Sequence, residues 1–248
     1  MTGPMRAYVL HLLRAHARRE NARSLLRSCG VAGEIWPAVD GAAMASAELE
    51  ASYGGKLFRP YYPFALRTGE IGCFLSHRQI WADMQDRAED AALIIEDDAG
   101  LDPDLFPTAL RLAGAHVEEL GYIQLQTRDL PGPARLIDKT GPCTLILPRV
   151  AGLRTTAQVV SKRAAARLLE LSDPFDRPVD TFVQSHWRTG IQPAAITPSG
   201  VREIAGELDG STIQGARKSP WEKLRREVLR ARYRAAVRRA SAKARPDG

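Results

Sequence analysis

A short apolar run, Ala91-Ala92-Leu93-Ile94-Ile95, breaks off into Glu96-Asp97-Asp98. If the run is a buried strand whose geometry persists, side chains alternate, so Glu96 and Asp98 point to one side and Asp97 to the other. Two carboxylates then converge at the carboxyl end of a strand, where α/β sheets collect ligands. Hard oxygen donors of this kind suit Mg²⁺ or Mn²⁺ when a substrate diphosphate completes the coordination shell. The chemistry on offer is Lewis-acid assistance to a departing phosphate. Taken alone, an acidic strand end also reads as a solvated loop entry.

Several elements must form to hold such an edge. Tyr8 to Leu12 reads as a strand, Ala15 to Cys29 as a helix stopped by Gly30, and Glu34 to Val39 as a strand running into the Asp40-Gly41 turn. Thr68 to Glu89 has helical spacing, with Thr68 as N-cap and Glu70 beside the positive end of the helix dipole. Its apolar stripe is Cys73/Phe74, Ile80/Trp81 and Met84, and His77 falls on the same stripe. Further strands are expected at Ala91 to Ile95, Tyr122 to Gln126, Thr144 to Leu147, Ala157 to Ser161 and Gln192 to Thr197, with helices at Pro103 to Leu120, Lys162 to Leu171 and Pro178 to Arg188. This alternation predicts an α/β fold with a mainly parallel or mixed sheet covered on both faces. Ser219-Pro220-Trp221-Glu222 combines a capping box with Pro at the first helical position, so a helix follows from Pro220. The expected organisation is one domain over residues 1–215 and a basic helical tail over 216–248.

Composition narrows the function classes. A chain of 248 residues that is 44% apolar can bury a substantial core. Apolar runs fall far short of the roughly 20 residues a membrane-spanning helix needs, and the apolar start near Tyr8 is interrupted too soon by arginines to be a secretory signal. A cytoplasmic protein is expected. Cys29, Cys73 and Cys143 are widely separated, which favours reduced, buried thiols over a disulfide framework or a zinc site. Of the net charge of +6, the stretch from Arg217 onward holds twelve basic and three acidic residues, a balance of +9, so the preceding body carries −3. The basic character belongs to the tail. That tail lacks the aromatic platforms of single-strand nucleic-acid binding, whereas Trp221, Leu224 and Val228 among arginines suit an anionic membrane surface, or simply a solvated appendage.

Gly69-Glu70-Ile71-Gly72-Cys73-Phe74-Leu75-Ser76-His77, then Trp81, then Ala92 to Asp98, closely resembles the core signature of glycosyltransferase family 25, the lipopolysaccharide-biosynthesis and collagen-galactosyltransferase group. Ala38-Val39-Asp40-Gly41 is similar to its A-V-D-G turn, Ser161 to Ala165 to its S-K-x-x-A helix start, and Pro178-Val179-Asp180 to its P-x-D segment. The resemblance covers roughly residues 6 to 200. It implies a glycosyltransferase-A-type nucleotide-diphospho-sugar transferase fold, a UDP-sugar donor, often UDP-galactose, and Mn²⁺ or Mg²⁺. It carries Glu96 and Asp98 over as metal and diphosphate ligands, with Asp97 nearby. Where the family's first strand commonly runs into N-L-D-R, this chain has His11-Leu12-Leu13-Arg14.

On that reading an acceptor hydroxyl needs a base, for which Asp180 is the first choice and Asp129 the reserve; Asp180 also reads as an ordinary helix-start charge. Glu70 reads either as a catalytic-site carboxylate or as a helix-terminal charge. His77 is either a hydrogen-bonded core histidine or a group holding Glu70 or the donor. Arg14 and Arg18, with Asp40 in the neighbouring turn, stand where a UDP phosphate or ribose could be met, though arginines on a helix face are commonly solvated. The expected activity is inverting transfer of a hexose, galactose first, from UDP to a hydroxyl of a lipopolysaccharide or other surface glycan, the acceptor being a glycan or a lipid-linked glycan. The alternative is a non-catalytic relative that keeps the fold and binds a glycan or a protein.

Overall fold

A computed structural model describes residues 4–208 and 220–244. In chain order it contains β1 (Met5–His11), a 3₁₀ turn (His16–Arg18), α1 (Arg19–Ser28), β2 (Gly33–Pro37), α2 (Ser46–Ser52), α3 (Thr68–Asp86), β3 (Ala91–Glu96), β4 (Ala99–Leu101), α4 (Phe106–Leu120), β5 (Tyr122–Leu125), β6 (Ala134–Thr140) and β7 (Cys143–Pro148). There follow β8 (Ala157–Ser161), α5 (Lys162–Leu171), α6 (Val179–Gln184), α7 (His186–Thr189), β9 (Ala194–Thr197), β10 (Val201–Glu203), α8 (Ala205–Leu208) and α9 (Pro220–Lys243). The Ser219 cap and the boundary near residue 215 lie outside the described residues.

Eight strands form one sheet in the order β2-β1-β3-β8-β5-β9-β7-β6. Pairings β1 with β2, β1 with β3 and β5 with β9 are parallel, whereas β8 and β7 run against both of their neighbours. Six strands therefore share one direction and two oppose it, a mixed and mostly parallel sheet. Period-two alternation puts Ala7, Val9, Leu93, Ile95, Ile123 and Ile196 into one core with α1 and α4. Tyr8, Leu10, Ala92, Ile94, Tyr122 and Val160 enter a second core with α3, α5 and α6. Central strands thus read as continuous apolar runs because both faces are covered.

Several expected boundaries moved for local reasons. The first helix begins with a 3₁₀ turn, and the segment expected as one helix from Pro178 to Arg188 breaks at Ser185, whose ψ is 56° and whose hydroxyl donates to the Thr181 carbonyl. The residue before α3 is Arg67 rather than Thr68; its N–H donates to Glu70 Oε2 at 2.8 Å. Strand β6 was not expected, because an exposed edge strand rich in charge has no apolar alternation to betray it.

Candidate active site

At one edge of the sheet the carboxyl ends of the parallel β1 and β3 meet the start of the antiparallel β8. His11, Glu96 and Thr155-Thr156 are gathered there by register alone. The Glu96 N–H donates to the Thr156 carbonyl at 2.9 Å, and Thr155 Oγ1 donates to Glu96 Oε1 at 2.6 Å. Strand geometry stops at Glu96, and the expected alternation stops with it. Arg18 Nη1 lies 3.3 Å from both Asp97 Oδ1 and Asp98 Oδ2, so these two carboxylates share one guanidinium instead of pointing apart. Asp97 is buried, and His11 Nδ1 donates to its Oδ2 at 2.8 Å, leaving His11 Nε2 buried with no hydrogen-bond partner among the described residues. From α1, Asn21 Nδ2 donates to the carbonyls of Asp97 and Ala99 at 2.8 and 2.9 Å and so pins the turn that carries the acids.

The electrostatics of this edge are those of crowded anions. Burial, the largest cause, and the carboxylates of Asp98, Asp180 and Asp97 push the Glu96 carboxyl up to about 7, against the opposing hydrogen bond from Thr155. Asp180, although 84 residues away in sequence from Glu96, meets the same short segment, Arg154-Thr155. Its Oδ1 accepts from Thr181 N–H at 2.6 Å and Thr181 Oγ1 at 3.1 Å, and its Oδ2 accepts from Arg154 N–H at 3.2 Å. Arg154 has a φ of 97°, a left-handed backbone that a non-glycine residue adopts only when its surroundings impose it. Gln124 Nε2, from β5, donates to the Gly152 and Arg154 carbonyls and fixes that loop from beneath. Burial first, then the charges of Glu70 and Asp180, raise the Tyr62 phenol to about 12.

The other expected residues fall into different surroundings. Arg14 and Asp40 form an ion pair at 2.6 Å on the rim beyond β1 and β2, and Arg14 holds the Asp40 carboxyl below its usual value. His77 is fully buried. Its Nδ1 donates to the Cys73 carbonyl at 3.0 Å and its Nε2 accepts from Gln158 at 3.1 Å, while burial lowers its pKa to about 4 and keeps it neutral. With both ring nitrogens engaged inside the core, His77 ties α3 to β8. Asp129, the reserve base, accepts from Thr197 Oγ1 at 2.7 Å beyond β5 and β9, not beside Glu96. Unsignalled in sequence were His11, Asn21 and Thr155, each of which meets the acidic turn only through tertiary contact.

Among the described residues no group of three or more His, Cys, Asp or Glu side chains is arranged to hold a metal. Glu96 and Asp98 are two carboxylates at one strand end, and one or two carboxylates with substrate phosphate oxygens are a common Mg²⁺ arrangement.

A mixed, mostly parallel sheet covered on both faces, with carboxylates collected outside the strand ends, defines an α/β protein with its candidate site at the carboxyl edge of the sheet. Residues 5–130 match the model of glycosyltransferase family 25 (LPS biosynthesis protein), and the chain belongs to that family. It is 31% identical over 195 residues to procollagen galactosyltransferase 1 of Danio rerio, an alignment covering 71% of this chain and 30% of that protein. A glycosyltransferase 25 family member of Drosophila pseudoobscura pseudoobscura is 35% identical over 186 residues, covering 71% of this chain and 29% of the relative. The human inactive glycosyltransferase 25 family member 3 is 31% identical over 185 residues, covering 71% and 30%. The chain thus spans about 30% of the length of these curated relatives. Among solved structures, an inositol-1-phosphate CTP transferase from T. maritima superposes with a TM-score of 0.38 at 13% identity, over 86% of this chain and 95% of that one, a likeness too loose to bear on function.

Proposed function

We propose that this chain is an inverting glycosyltransferase that moves a hexose, galactose in the first instance, from a UDP-sugar to a hydroxyl of a lipopolysaccharide or related surface glycan. The observation that carries this reading is the meeting of Glu96 and Asp180 at Arg154-Thr155, where Thr155 Oγ1 donates to Glu96 and the Arg154 N–H donates to Asp180. Family membership and the galactosyltransferase relative support the choice of reaction. Asp180, oriented by Thr181 and the Arg154 N–H, takes the proton of the acceptor hydroxyl as its oxygen attacks the anomeric carbon. The bond from that carbon to the phosphate oxygen breaks, and UDP leaves with the electron pair. Glu96 and Asp98 would hold Mn²⁺ or Mg²⁺, which when bound supplies charge neutralisation at the leaving diphosphate. Arg18, Arg14 and Asp40 line the rim where phosphate and ribose would lie, and Glu70 stands on the acceptor side beside Tyr62.

The test is a UDP-release screen over several UDP-sugars with Mn²⁺, repeated on Glu96→Ala and Asp98→Ala. Donor-dependent release that falls in both variants is the expected result. Failure of the wild type to bind any UDP-sugar sinks the proposal. A second reading, a fold-retaining binding protein without transfer activity, is favoured by the His11–Asp97 contact, which occupies an acid of the triplet internally. It predicts glycan binding with no UDP release from any donor.

A further inference from the structure

The C-terminal helix presents two faces of opposite character. One packs on the body: Tyr233 accepts from Arg177 Nη1 at 3.2 Å and meets the Tyr62 ring edge-on at 5.5 Å, Arg226 and Arg230 lie over Phe64, and Val237 and Ser241 are buried. At about 100° per residue, Trp221, Leu224 and Val228 fall on the face roughly opposite. They are 79%, 55% and 42% exposed. Arg225, Arg232 and Arg239, spaced seven apart and all exposed, run alongside this apolar stripe. The two acids of α9, Glu222 and Glu227, lie off that arc, and Glu227 is paired with Arg230. An apolar stripe flanked by a row of arginines and free of carboxylates matches the boundary of an anionic bilayer, where aliphatic and indole groups enter the headgroup region and guanidinium groups meet phosphate.

We propose that the outward face of α9 docks the protein on an anionic membrane surface, with Trp221, Leu224 and Val228 inserted and Arg225, Arg232 and Arg239 on lipid phosphates. Docking through one face and packing through the other would hold the body at the membrane without any spanning helix; no described helix is long and apolar enough to span. This inference is independent of the transfer chemistry proposed above.

The experiment is co-sedimentation of the full chain with vesicles of phosphatidylcholine alone and of phosphatidylcholine with phosphatidylglycerol. Binding to the anionic vesicles only, weakened by salt, is expected. The variant carrying Arg225→Glu, Arg232→Glu and Arg239→Glu should lose affinity on the order of a hundredfold, from about fivefold per basic residue removed. Leu224→Glu with Val228→Glu should abolish binding, with circular dichroism and thermal unfolding unchanged because both side chains face outward. Equal binding to neutral and anionic vesicles, or wild-type binding by either variant, overturns the proposal. So does a wild-type dimer in light scattering that the Leu224→Glu, Val228→Glu variant converts to monomer, since the stripe would then be a self-association surface.

Discussion

Glu96, with its carboxyl raised to about 7, makes the edge sensitive to pH in a defined direction. Between the ordinary value near 4.5 and about 7 the folded protein binds more protons at Glu96 than the unfolded chain does. Stability of the cation-free protein should therefore fall as pH rises through that window, while cation affinity rises. His77 acts oppositely: lowered to about 4, it weakens the fold as pH falls from about 6.5 towards 4. The Glu96 effect is thus cleanest above pH 6.5. Glu96→Gln should raise stability at pH 8 by about 1–3 kcal/mol, measured by urea denaturation, and abolish cation-dependent transfer. An unchanged midpoint at pH 8 would count against the cost of holding a buried, charged Glu96 among other carboxylates. Asp180→Asn should lower kcat by a factor of about 10²–10⁴ with donor KM little changed; near-normal transfer by a folded variant removes Asp180 as base. The acidic triplet was legible because an apolar run ending in three acids stands out along the chain. Its partners were not: Thr155 comes from the loop before β8 and His11 from the end of β1, and nothing local marks them as neighbours of Glu96 and Asp97. His77 was legible as a stripe residue, and its place in the core follows from the ordinary reading of that stripe.

Two glycines show what holds elements together at this edge. A Cβ on Gly72 would stand 2.5 Å from the Val39 carbonyl oxygen and 2.7 Å from the Gly41 nitrogen, and one on Gly41 would stand 1.9 Å from the Thr68 carbonyl oxygen. The loop after β2 lies directly on the first turns of α3, and Ser76 Oγ accepts from the Val39 N–H at 2.8 Å to complete the contact. Gly72→Ala should cost about 1–3 kcal/mol through overpacking, seen as a lower Tm, whereas Gly69→Ala, with open space around it, should be nearly neutral or slightly stabilising. Equal losses from both would mean that α3 and the loop do not meet closely. The Val39-Asp40-Gly41 and Gly69-Glu70-Ile71-Gly72 patterns could be read from the sequence as separate signals, but their joint purpose appears only when two backbones touch. Most helices and strands followed from periodicity; the short helices α2 and α8 escaped it, as did β4, β6 and β10, because two of these strands are three residues long and the other is an exposed edge.

At the scale of the molecule, α9 is part of the packed structure. Arg177 is fully buried, doubly bonded to Asp176, stacked on Phe58 at 3.5 Å and donating to the Phe58 carbonyl; Tyr233 covers it. Removing residues from Pro220 onward should destabilise the body on the order of 3 kcal/mol, detected as an earlier urea midpoint, while Trp221→Ala should leave that midpoint in place. The charge imbalance of the tail was plain in the sequence. Which face it would turn inward was not, since alanine and arginine recur on every side of the helix. One feature of the sheet reaches beyond the finished protein. Strand β8 lies between β3 and β5, yet it follows both in the chain. During synthesis β3 and β5 therefore emerge with facing edges unpaired until residue 157 has left the ribosome, and such edges invite pairing with other chains. A fragment ending at residue 130 should be made largely insoluble, although it holds the whole segment matched by the family. The nascent chain would then depend on a holding chaperone for the interval in which its sheet still lacks a middle strand.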